Sequence, residues 1–210
     1  MVPLQNANAF FSKNITVEIK AKVTSVSDFP NILKGSIKEG DIITGKYVYN
    51  SLAKDTNDDP TVGDYQHNSK PYGIFLKAGK LVFQTDPKNV DFLLEYVNRD
   101  DSDNFVIRSF NNLPLSKNVV VDHIAWQLDD PTSQAISSVS LKDNPKAPDL
   151  SKWQQPFGLT IEGFLEDEQG DGFFIRGEVF SAKAVLKGED KLLAHELGQN
   201  VFDFIVKALD

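Results

Sequence analysis

The sequence predicts a mainly β protein, and three observations carry that prediction. Apolar and polar residues alternate over residues 15–23, which is the period of a strand with one buried and one solvated face. The chain has 15 Phe, 5 Tyr and 2 Trp but only one Met, a composition that favours pleated, half-buried strands. About ten short strand candidates are separated by turn residues, a spacing typical of an antiparallel β-sandwich, a jelly roll or a barrel.

The first half of the chain contains six of these strand candidates and one long polar segment. A second strand is predicted over residues 42–49, where Gly45 indicates a bulge or a close approach of another backbone. Residues 50–71 form the longest polar segment, and loops of this length inside a compact domain are often functional. Four short strands are then predicted, over residues 72–77, 80–86, 90–98 and 104–110.

The second half continues the same pattern up to an irregular crossing. Strands are predicted over residues 119–128 and 134–141. Three prolines around Trp153 indicate an irregular connection over residues 142–156. Residues 158–166 and 173–185 then predict a hairpin with an acidic tip.

The last segment of the chain has a helical period instead. Residues 189–209 contain no proline, and on a helix their apolar side chains share one stripe formed by Leu193, Leu197, Val201, Phe204, Ile205 and Ala208. The apolar sector is wider than packing on one sheet face requires. We therefore expect an arm over residues 1–13, a β domain over 14–186, and an amphipathic helix over 187–210 that packs on the domain or forms an oligomer interface.

Composition excludes several classes of function. The net charge of −8 argues against nucleic acid as the main partner, because phosphate backbones are bound by clustered Lys and Arg. The absence of cysteine excludes disulfides, thiolate nucleophiles and Cys-ligated zinc or iron–sulfur sites. No apolar run is long enough for a membrane span, and no phosphate-binding glycine motif or nucleophile elbow is present. We expect no nucleotide, haem or iron–sulfur cofactor.

The polar segment contains a candidate calcium site. Asp55, Asn57 and Asp59 place oxygen ligands at alternating positions, as the first half of a calcium loop does. Pro60 stands where such a loop needs glycine, so Asp64 and backbone carbonyls would have to complete an irregular site. The alternative is a solvated loop whose Asp and Asn residues supply turns.

Aromatic residues and one histidine are the candidate ligand-binding residues. Tyr65, His67 and Tyr72 lie in or beside the polar segment, while Trp126 ends a strand and Trp153 lies in the proline-rich crossing. Placed at strand ends, such side chains form a platform or a pocket rim for a glycan or small molecule. The alternative is that they belong to the core, as most aromatic residues of a β domain do.

Carboxylates next to Trp126 are the candidate catalytic residues. Asp129, Asp130 or Glu162 would supply the acid of a cyclase or hydrolase that holds an apolar substrate against Trp126. A pair made of Glu95 with Glu162 or Glu178 is the alternative for glycoside chemistry. The parity of its strand predicts that His123 faces inward or lines a cleft.

The chain resembles a known group of proteins over residues 15–185. The resemblance is carried by the Gly40-Asp41 turn, the aromatic strand that ends at Tyr49, the acidic loop over residues 55–64, and the segments 126–130 and 161–165. These motifs are similar to those of an uncharacterised group of exported, often cyanobacterial proteins, many with a C-terminal PEP-CTERM sorting tail. The resemblance implies a β-rich fold and export, without catalytic residues to carry over.

Two features of the chain depart from that group. The chain has no sorting tail, and it ends in the predicted helix. Separately, residues 1–11 lack the basic and long apolar regions of a signal peptide. We expect a periplasmic or extracellular protein whose signal is not part of this chain, with a cytoplasmic location as the alternative.

Together these features predict a non-catalytic, exported or surface-associated binding protein with a β-sandwich. It would bind calcium and recognise a glycan or another small molecule. A jelly-roll or barrel enzyme with a carboxylate acid near Trp126 is one alternative. A structural homo-oligomer assembled through the C-terminal helix is the other.

Overall fold

The computed structural model describes residues 14–166 and 171–185. These residues form ten β-strands and one short 3₁₀ helix at Leu150–Lys152. The strands are β1 (Asn14–Phe29), β2 (Ile42–Asn50), β3 (Val62–His67), β4 (Gly73–Ala78), β5 (Leu81–Gln84), β6 (Phe92–Asn98), β7 (Asp103–Ser109), β8 (Val119–Asp130), β9 (Gln154–Leu165) and β10 (Gly172–Val185). Within the two described ranges, no helix is long and apolar enough to cross a membrane.

All ten strands belong to one antiparallel sheet that curls into a half-barrel. The order across the sheet is β3-β6-β7-β8-β9-β10-β1-β2-β4-β5. The distance between Tyr47 of β2 and Trp126 of β8 shows how strongly the sheet curls, because their ring centroids lie only 6.2 Å apart. These two strands are four positions apart in the sheet, which in a flat sheet is about 19 Å. The sheet therefore curves strongly, and the side chains on its concave face pack against one another and form the core.

Strand β1 shows why this sequence forms a half-buried sheet. Ile15, Val17, Ile19, Ala21 and Val23 are all buried on the concave face, and the residues between them face outward. This is the alternation predicted for residues 15–23. The core that they join is rich in aromatic and branched side chains, which fit a pleated surface; its largest fully buried members are Trp126, Tyr47, Phe83, Phe92, Phe105, Ile19, Ile43, Leu76, Leu94, Ile107, Ile124 and Leu128.

β-Bulges in the central strands accompany the curl. The β1–β10 pairing shifts register between Lys20 and Ala21, and again between Val23 and Ser25. The β8–β9 pairing shifts between Val121 and His123, and again beyond Gln127. A bulge bends its strand and increases the local twist, so these four irregularities help the middle of the sheet to curve around its core.

Two predictions about individual strands are wrong. The polar segment 50–71 contains strand β3, which pairs with β6 through Val62–His67. Gly63, Asp64 and His67 have weak strand propensity, so tertiary pairing decides this element. Residues 134–141 form no strand, because the backbone N–H groups of Ala135 and Ile136 are bound by carboxylates instead of a neighbouring strand.

The mainly β, antiparallel fold is confirmed. Of the sandwich, jelly-roll and barrel arrangements, the single curled sheet is nearest to the barrel, since one continuous sheet supplies both walls of the core. The predicted arm over residues 1–13 and the predicted helix over 187–210 lie outside the described residues.

Gly45 marks a close approach of two backbones, as its place in mid-strand predicts. It pairs with Ile19 of β1 and with Leu76 of β4. A Cβ atom at this position would overlap the carbonyl oxygen of Phe75 and would lie 2.8 Å from the Leu76 Cα atom. Only glycine allows β2 and β4 to approach this closely.

Replacing this glycine tests the packing of the two strands. We expect Gly45→Ala to lower the free energy of unfolding by about 1–3 kcal/mol, the usual cost of overpacking. Gly158→Ala is the matched control, because nothing lies within 4 Å of a Cβ atom built at Gly158. Urea denaturation followed by tryptophan fluorescence measures both variants, and equal stability of the two would contradict the close approach.

Candidate functional site: a groove at the mouth of the half-barrel

A long connection crosses one open end of the half-barrel, here called the mouth. This crossing loop, residues 131–153, begins after β8, and two strand-end carboxylates hold its first turn. Oδ2 of Asp130 accepts hydrogen bonds from the N–H groups of Gln134 at 2.8 Å and Ala135 at 2.9 Å. Oδ2 of Asp103 accepts from the N–H groups of Ala135 at 2.9 Å and Ile136 at 3.1 Å. The crossing loop is therefore anchored where it leaves the sheet.

Two tyrosine hydroxyls hold the middle of the crossing loop. The Tyr65 hydroxyl donates to the carbonyl oxygen of Val139 at 2.8 Å, and the Tyr49 hydroxyl donates to that of Lys146 at 3.1 Å. Both rings are buried. Burial raises the pKa of both phenols, so they stay protonated and act as donors at neutral pH. The loop is thus fixed to strands β2 and β3.

A groove lies between the crossing loop and the turn that follows β2. It consists of two adjoining cavities of about 480 Å³ each, and both are lined by Ser51, Leu52, Leu141 and Lys142. One cavity extends toward Ile15, Tyr49, Asn144, Pro145 and Lys146; the other extends toward Ala53, Lys54, Asp55, Tyr65, Ser138, Val139 and Ser140. We call the pair the mouth groove. Each cavity has the size of a small-molecule site.

The mouth groove combines apolar walls with lysines. Ile15, Tyr49 and Leu141 are buried core residues whose surfaces reach the groove, and Leu52 is 60% exposed beside them. Three lysines, Lys54, Lys142 and Lys146, belong to its lining. An apolar molecule that carries a negative charge fits this combination, because the lysines can pair with the charge while its body leaves water.

The first three candidate ligand residues lie in three different environments. Tyr65 lines the mouth groove. His67 is buried, and its Nε2 atom accepts the Asn50 N–H at 2.9 Å, so its ring is an acceptor in the core. Burial lowers the pKa of His67, which keeps the imidazole neutral. Tyr72 packs on His67, with ring centroids 4.9 Å apart, and lines a separate cavity of about 210 Å³ beside Lys46.

The two tryptophans belong to the core, and the prediction that Trp126 lies at a pocket rim is wrong. Trp126 is fully buried against Tyr47 and Phe105, whose ring centroids lie 6.2 Å and 5.5 Å from its own. Trp153 is 7% exposed. Both residues fill the interior of the curled sheet, so they do not form an exposed platform for a glycan.

The candidate catalytic carboxylates have separate roles. Asp130 holds the crossing loop, and Oδ1 of Asp129 accepts from the side-chain amides of Asn104 and Gln127. Glu162 is on the convex face of the sheet, 3.8 Å from Nδ1 of His123. These carboxylates do not meet at one site.

His123 was predicted to face inward or to line a cleft, and the first of these alternatives is wrong. The bulge between Val121 and His123 reverses the parity of β8, so that His123 stacks on Phe110, with ring centroids 5.6 Å apart. Phe110 is 45% exposed. A single inserted residue is invisible to a count of alternating positions, which explains the error.

Glu95 has a partner that the sequence did not suggest. It stands opposite Asp64 in the β3–β6 pairing, whereas Glu162 is three strands away in the sheet. The pKa of Glu95 is raised by burial and by the Asp64 carboxylate, while Arg108 opposes both effects. The pairs of Glu95 with Glu162 or Glu178 are therefore not formed.

In the acidic loop of the polar segment, side-chain oxygens accept hydrogen bonds from backbone N–H groups of the same segment. Oδ1 of Asp55 accepts from the N–H groups of Asn57 and Asp64, each at 2.9 Å. Asn57 and Asp59 accept in the same way from residues two positions ahead, which defines a series of Asx turns. Nowhere in residues 14–166 and 171–185 do three or more His, Asp or Glu side chains form a group that could hold a metal ion. These hydrogen bonds favour the alternative of a solvated loop over the predicted calcium site at Asp55, Asn57, Asp59 and Asp64, and calcium titration tests the two.

Comparison with known proteins gives no match. No protein-family model matches the chain, and neither a curated protein nor a solved structure is similar to it. Sequence reasoning identified Tyr65, and Asp55 as a metal candidate, but missed Ile15, Leu52, Leu141 and Lys142. Two signals pointed to this end of the fold, the long polar segment over residues 50–71 and the proline-rich crossing.

The role of Asp130 can be tested through pH. Its carboxylate accepts four hydrogen bonds from the crossing loop, and these bonds, with Thr132, Gln134 and Ala135 as donors, lower its pKa. A carboxyl whose pKa is lower in the folded chain than in the unfolded chain, where it is near 4, stabilises the fold above about pH 4. This stabilisation is lost as the pH falls through the folded pKa. We expect Asp130→Asn to cost about 1–3 kcal/mol at pH 7, with a smaller cost below about pH 4. Urea denaturation at several pH values measures the free energy of unfolding of this variant, and Asp122→Asn, at an exposed position, is the control. A loss of stability in Asp130→Asn that is the same at every pH would contradict the role of the ionised carboxylate.

The acidic loop can be tested with calcium. Since Asp55, Asn57 and Asp59 already bind backbone N–H groups, we expect millimolar calcium to shift the melting temperature by less than about 1 °C relative to a chelator. Differential scanning calorimetry measures the shift. A stabilisation that is abolished by Asp55→Asn but kept by Asp101→Asn would instead establish a calcium site in the loop.

Proposed function

We propose that this protein is a non-catalytic binding protein whose mouth groove takes a small amphipathic molecule with an apolar body and an anionic group. The observation that supports this proposal most directly is the lining of the groove, where buried core side chains and three lysines surround the same two cavities. Export from a bacterial cell, which the resemblance over residues 15–185 implies, is part of the proposal.

Preorganisation of the groove supports a binding role. The crossing loop is held by the carboxylates of Asp103 and Asp130 and by the hydroxyls of Tyr49 and Tyr65. A ligand that enters does not have to order this wall, so less of its binding energy is lost to conformational entropy. The wall thus has the rigidity expected of a binding site.

The charge of the ligand follows from the lining. The chain is acidic overall, with a net charge of −8, yet Lys54, Lys142 and Lys146 line the mouth groove together with Asp55. The carboxylates of Asp64 and Asp143 are also close enough to raise the pKa of Tyr65, which lines one of the two cavities. Each lysine can cover apolar surface with its methylene stem and present its ammonium group to an anion. This arrangement favours a carboxylate, sulfonate or sulfate over a neutral or cationic headgroup.

The same lining disfavours the other ligands and the catalytic alternative. A sugar ring is usually held on the open face of an aromatic side chain, whereas Tyr49 and Tyr65 are buried and direct their hydroxyls to the crossing loop. Asp129 and Asp130 are engaged in hydrogen bonds of the fold, and Glu162 lies on the convex face. Binding without catalysis accounts for these positions best.

The proposal predicts binding of an apolar anion at the mouth. We expect 8-anilinonaphthalene-1-sulfonate to bind the full chain, and Leu52→Asp to weaken its affinity about tenfold, because the substitution places a carboxylate in the groove. Val82→Asp is the control, since Val82 is 41% exposed on the distant edge strand β5. Fluorescence titration measures both affinities.

A competition experiment separates the apolar and the anionic parts of this recognition. Decanoate is expected to displace the fluorescent probe more effectively than decanol, and Lys142→Glu is expected to reduce that difference. Equal affinities of the Leu52→Asp and Val82→Asp variants for the probe would overturn the assignment of the ligand to the mouth groove.

A further inference from the structure

The two cavities of the mouth groove differ in the charges of their linings. One of them, called the apolar cavity, extends from Leu52 toward Ile15 and Tyr49. Lys142 and Lys146 also line it, and its described lining residues include no carboxylate. This end of the groove therefore combines apolar walls with positive charge.

The other cavity, called the acidic cavity, extends toward Asp55 and Tyr65. Burial is the main cause that raises the pKa of the Tyr65 phenol, and the carboxylates of Asp55, Asp143 and Asp64 raise it further. Asp143 is also in contact with the lining, because the Ser138 hydroxyl donates to its Oδ2 atom at 2.9 Å. The far end of the groove is therefore rich in negative charge.

Positive charge is placed between these two ends. Lys142 lines both cavities, so it stands where they adjoin, and Lys54 lines the acidic cavity beside Asp55. Within residues 14–166 and 171–185, neither lysine forms an ion pair with another side chain. A ligand anion at the junction of the two cavities would supply the partner that these ammonium groups lack.

Asp55 has one carboxylate oxygen left for a ligand. The hydrogen bonds that its side chain accepts from the loop, with the N–H groups of Asn57 and Asp64 as donors, both end on Oδ1. Oδ2 has no hydrogen-bond partner in the described part of the chain. A cationic group in the acidic cavity can pair with Oδ2 without disturbing the turn that Oδ1 holds.

We propose that the ligand of the mouth groove is a single-chain zwitterionic amphiphile whose anionic group lies between the apolar chain and an ammonium group. The chain lies in the apolar cavity, the anionic group pairs with Lys142, and the ammonium group pairs with Asp55. This is the charge order of a single-chain phospholipid. The ligand class rests on the proposed function and adds a second charge to the headgroup.

The order of the two charges matters as much as their presence. With the order reversed, the ammonium group would stand beside Lys142 and the anionic group beside Asp55, so that both charges would face like charges. A groove with this lining selects between two zwitterions of equal net charge, because the wrong order is repelled at both positions.

Two detergents with the same apolar chain test this order. Decylphosphocholine has its phosphate between the chain and the ammonium group, whereas in a decyl sulfobetaine the ammonium group lies between the chain and the sulfonate. Below their critical micelle concentrations, we expect the full chain to bind decylphosphocholine at least about tenfold more tightly. Isothermal titration calorimetry measures both affinities. Equal affinities, or a preference for the sulfobetaine, would overturn the proposed charge order.

A charge-neutralising variant tests the ammonium position. Asp55→Asn keeps an oxygen that can accept the hydrogen bonds of the loop but removes the charge. We expect it to weaken decylphosphocholine binding about fivefold and not to weaken decanoate binding, since decanoate has no ammonium group. Asp58→Asn is the matched control, because Asp58 is exposed in the same loop and lies outside the groove lining. The same decylphosphocholine affinity in both variants would contradict the role of Asp55.

The remaining outcomes distinguish the ligand class from the proposed function. Binding of 8-anilinonaphthalene-1-sulfonate and decanoate that depends on Leu52, without a preference for decylphosphocholine, would overturn the zwitterionic ligand and leave the proposed function standing. No binding of the fluorescent probe or of any of the three amphiphiles would overturn both. Decylphosphocholine binding that Leu52→Asp leaves unchanged would place that ligand outside the groove and overturn its assignment here.

Discussion

The pairing of β10 with β1 is the interaction on which the rest of the structure depends. Thirteen residue pairs, from Thr16 with Val185 to Phe29 with Gly172, join the beginning of the described chain to its end. On one side of this seam lie β2, β4 and β5, and on the other lie β9, β8, β7, β6 and β3. Without the seam the ten strands would form two separate sheets, and neither would enclose the core. Such long-range contacts are costly in loop entropy, so a seam this extensive has to be stabilised along its whole length.

The seam also explains why the candidate site lies at one end of the molecule. Because β1 and β10 are antiparallel, the beginning of β1 and the end of β10 meet at the mouth, where Ile15 lines the groove. The bulges in β1 and β8 help to bend the middle of the sheet, so that β2 and β8 approach across the core at Tyr47 and Trp126. The crossing loop then covers an end that the sheet leaves open. Fold and site are consequences of the same curvature.

Local patterns predicted local features and missed those that depend on distant partners. The alternation over residues 15–23 was correct because it is a property of a single strand, and the close approach at Gly45 was one of the two features that a glycine in mid-strand predicts. Strand β3 was missed because its pairing with β6 outweighs weak propensity, and the inward parity assigned to His123 was wrong because of one bulge. Tyr65 was identified as a site residue from its place in a long loop, but Leu52 and Leu141 line the same cavities only in the folded chain. No pattern within either segment predicts that they share a site.

The positions of the acidic residues in the fold explain much of the protein's negative charge. Asp55, Asp59 and Asp130 accept hydrogen bonds from backbone N–H groups at turns and strand ends, so much of the acidic excess serves the fold. Acidic turns of this kind need no cation, since short side chains bind their own backbone. Lys54 and Lys142 of the mouth groove lie beside apolar walls instead. Their position beside apolar walls is what a ligand with an apolar body and an anionic group would require of this surface.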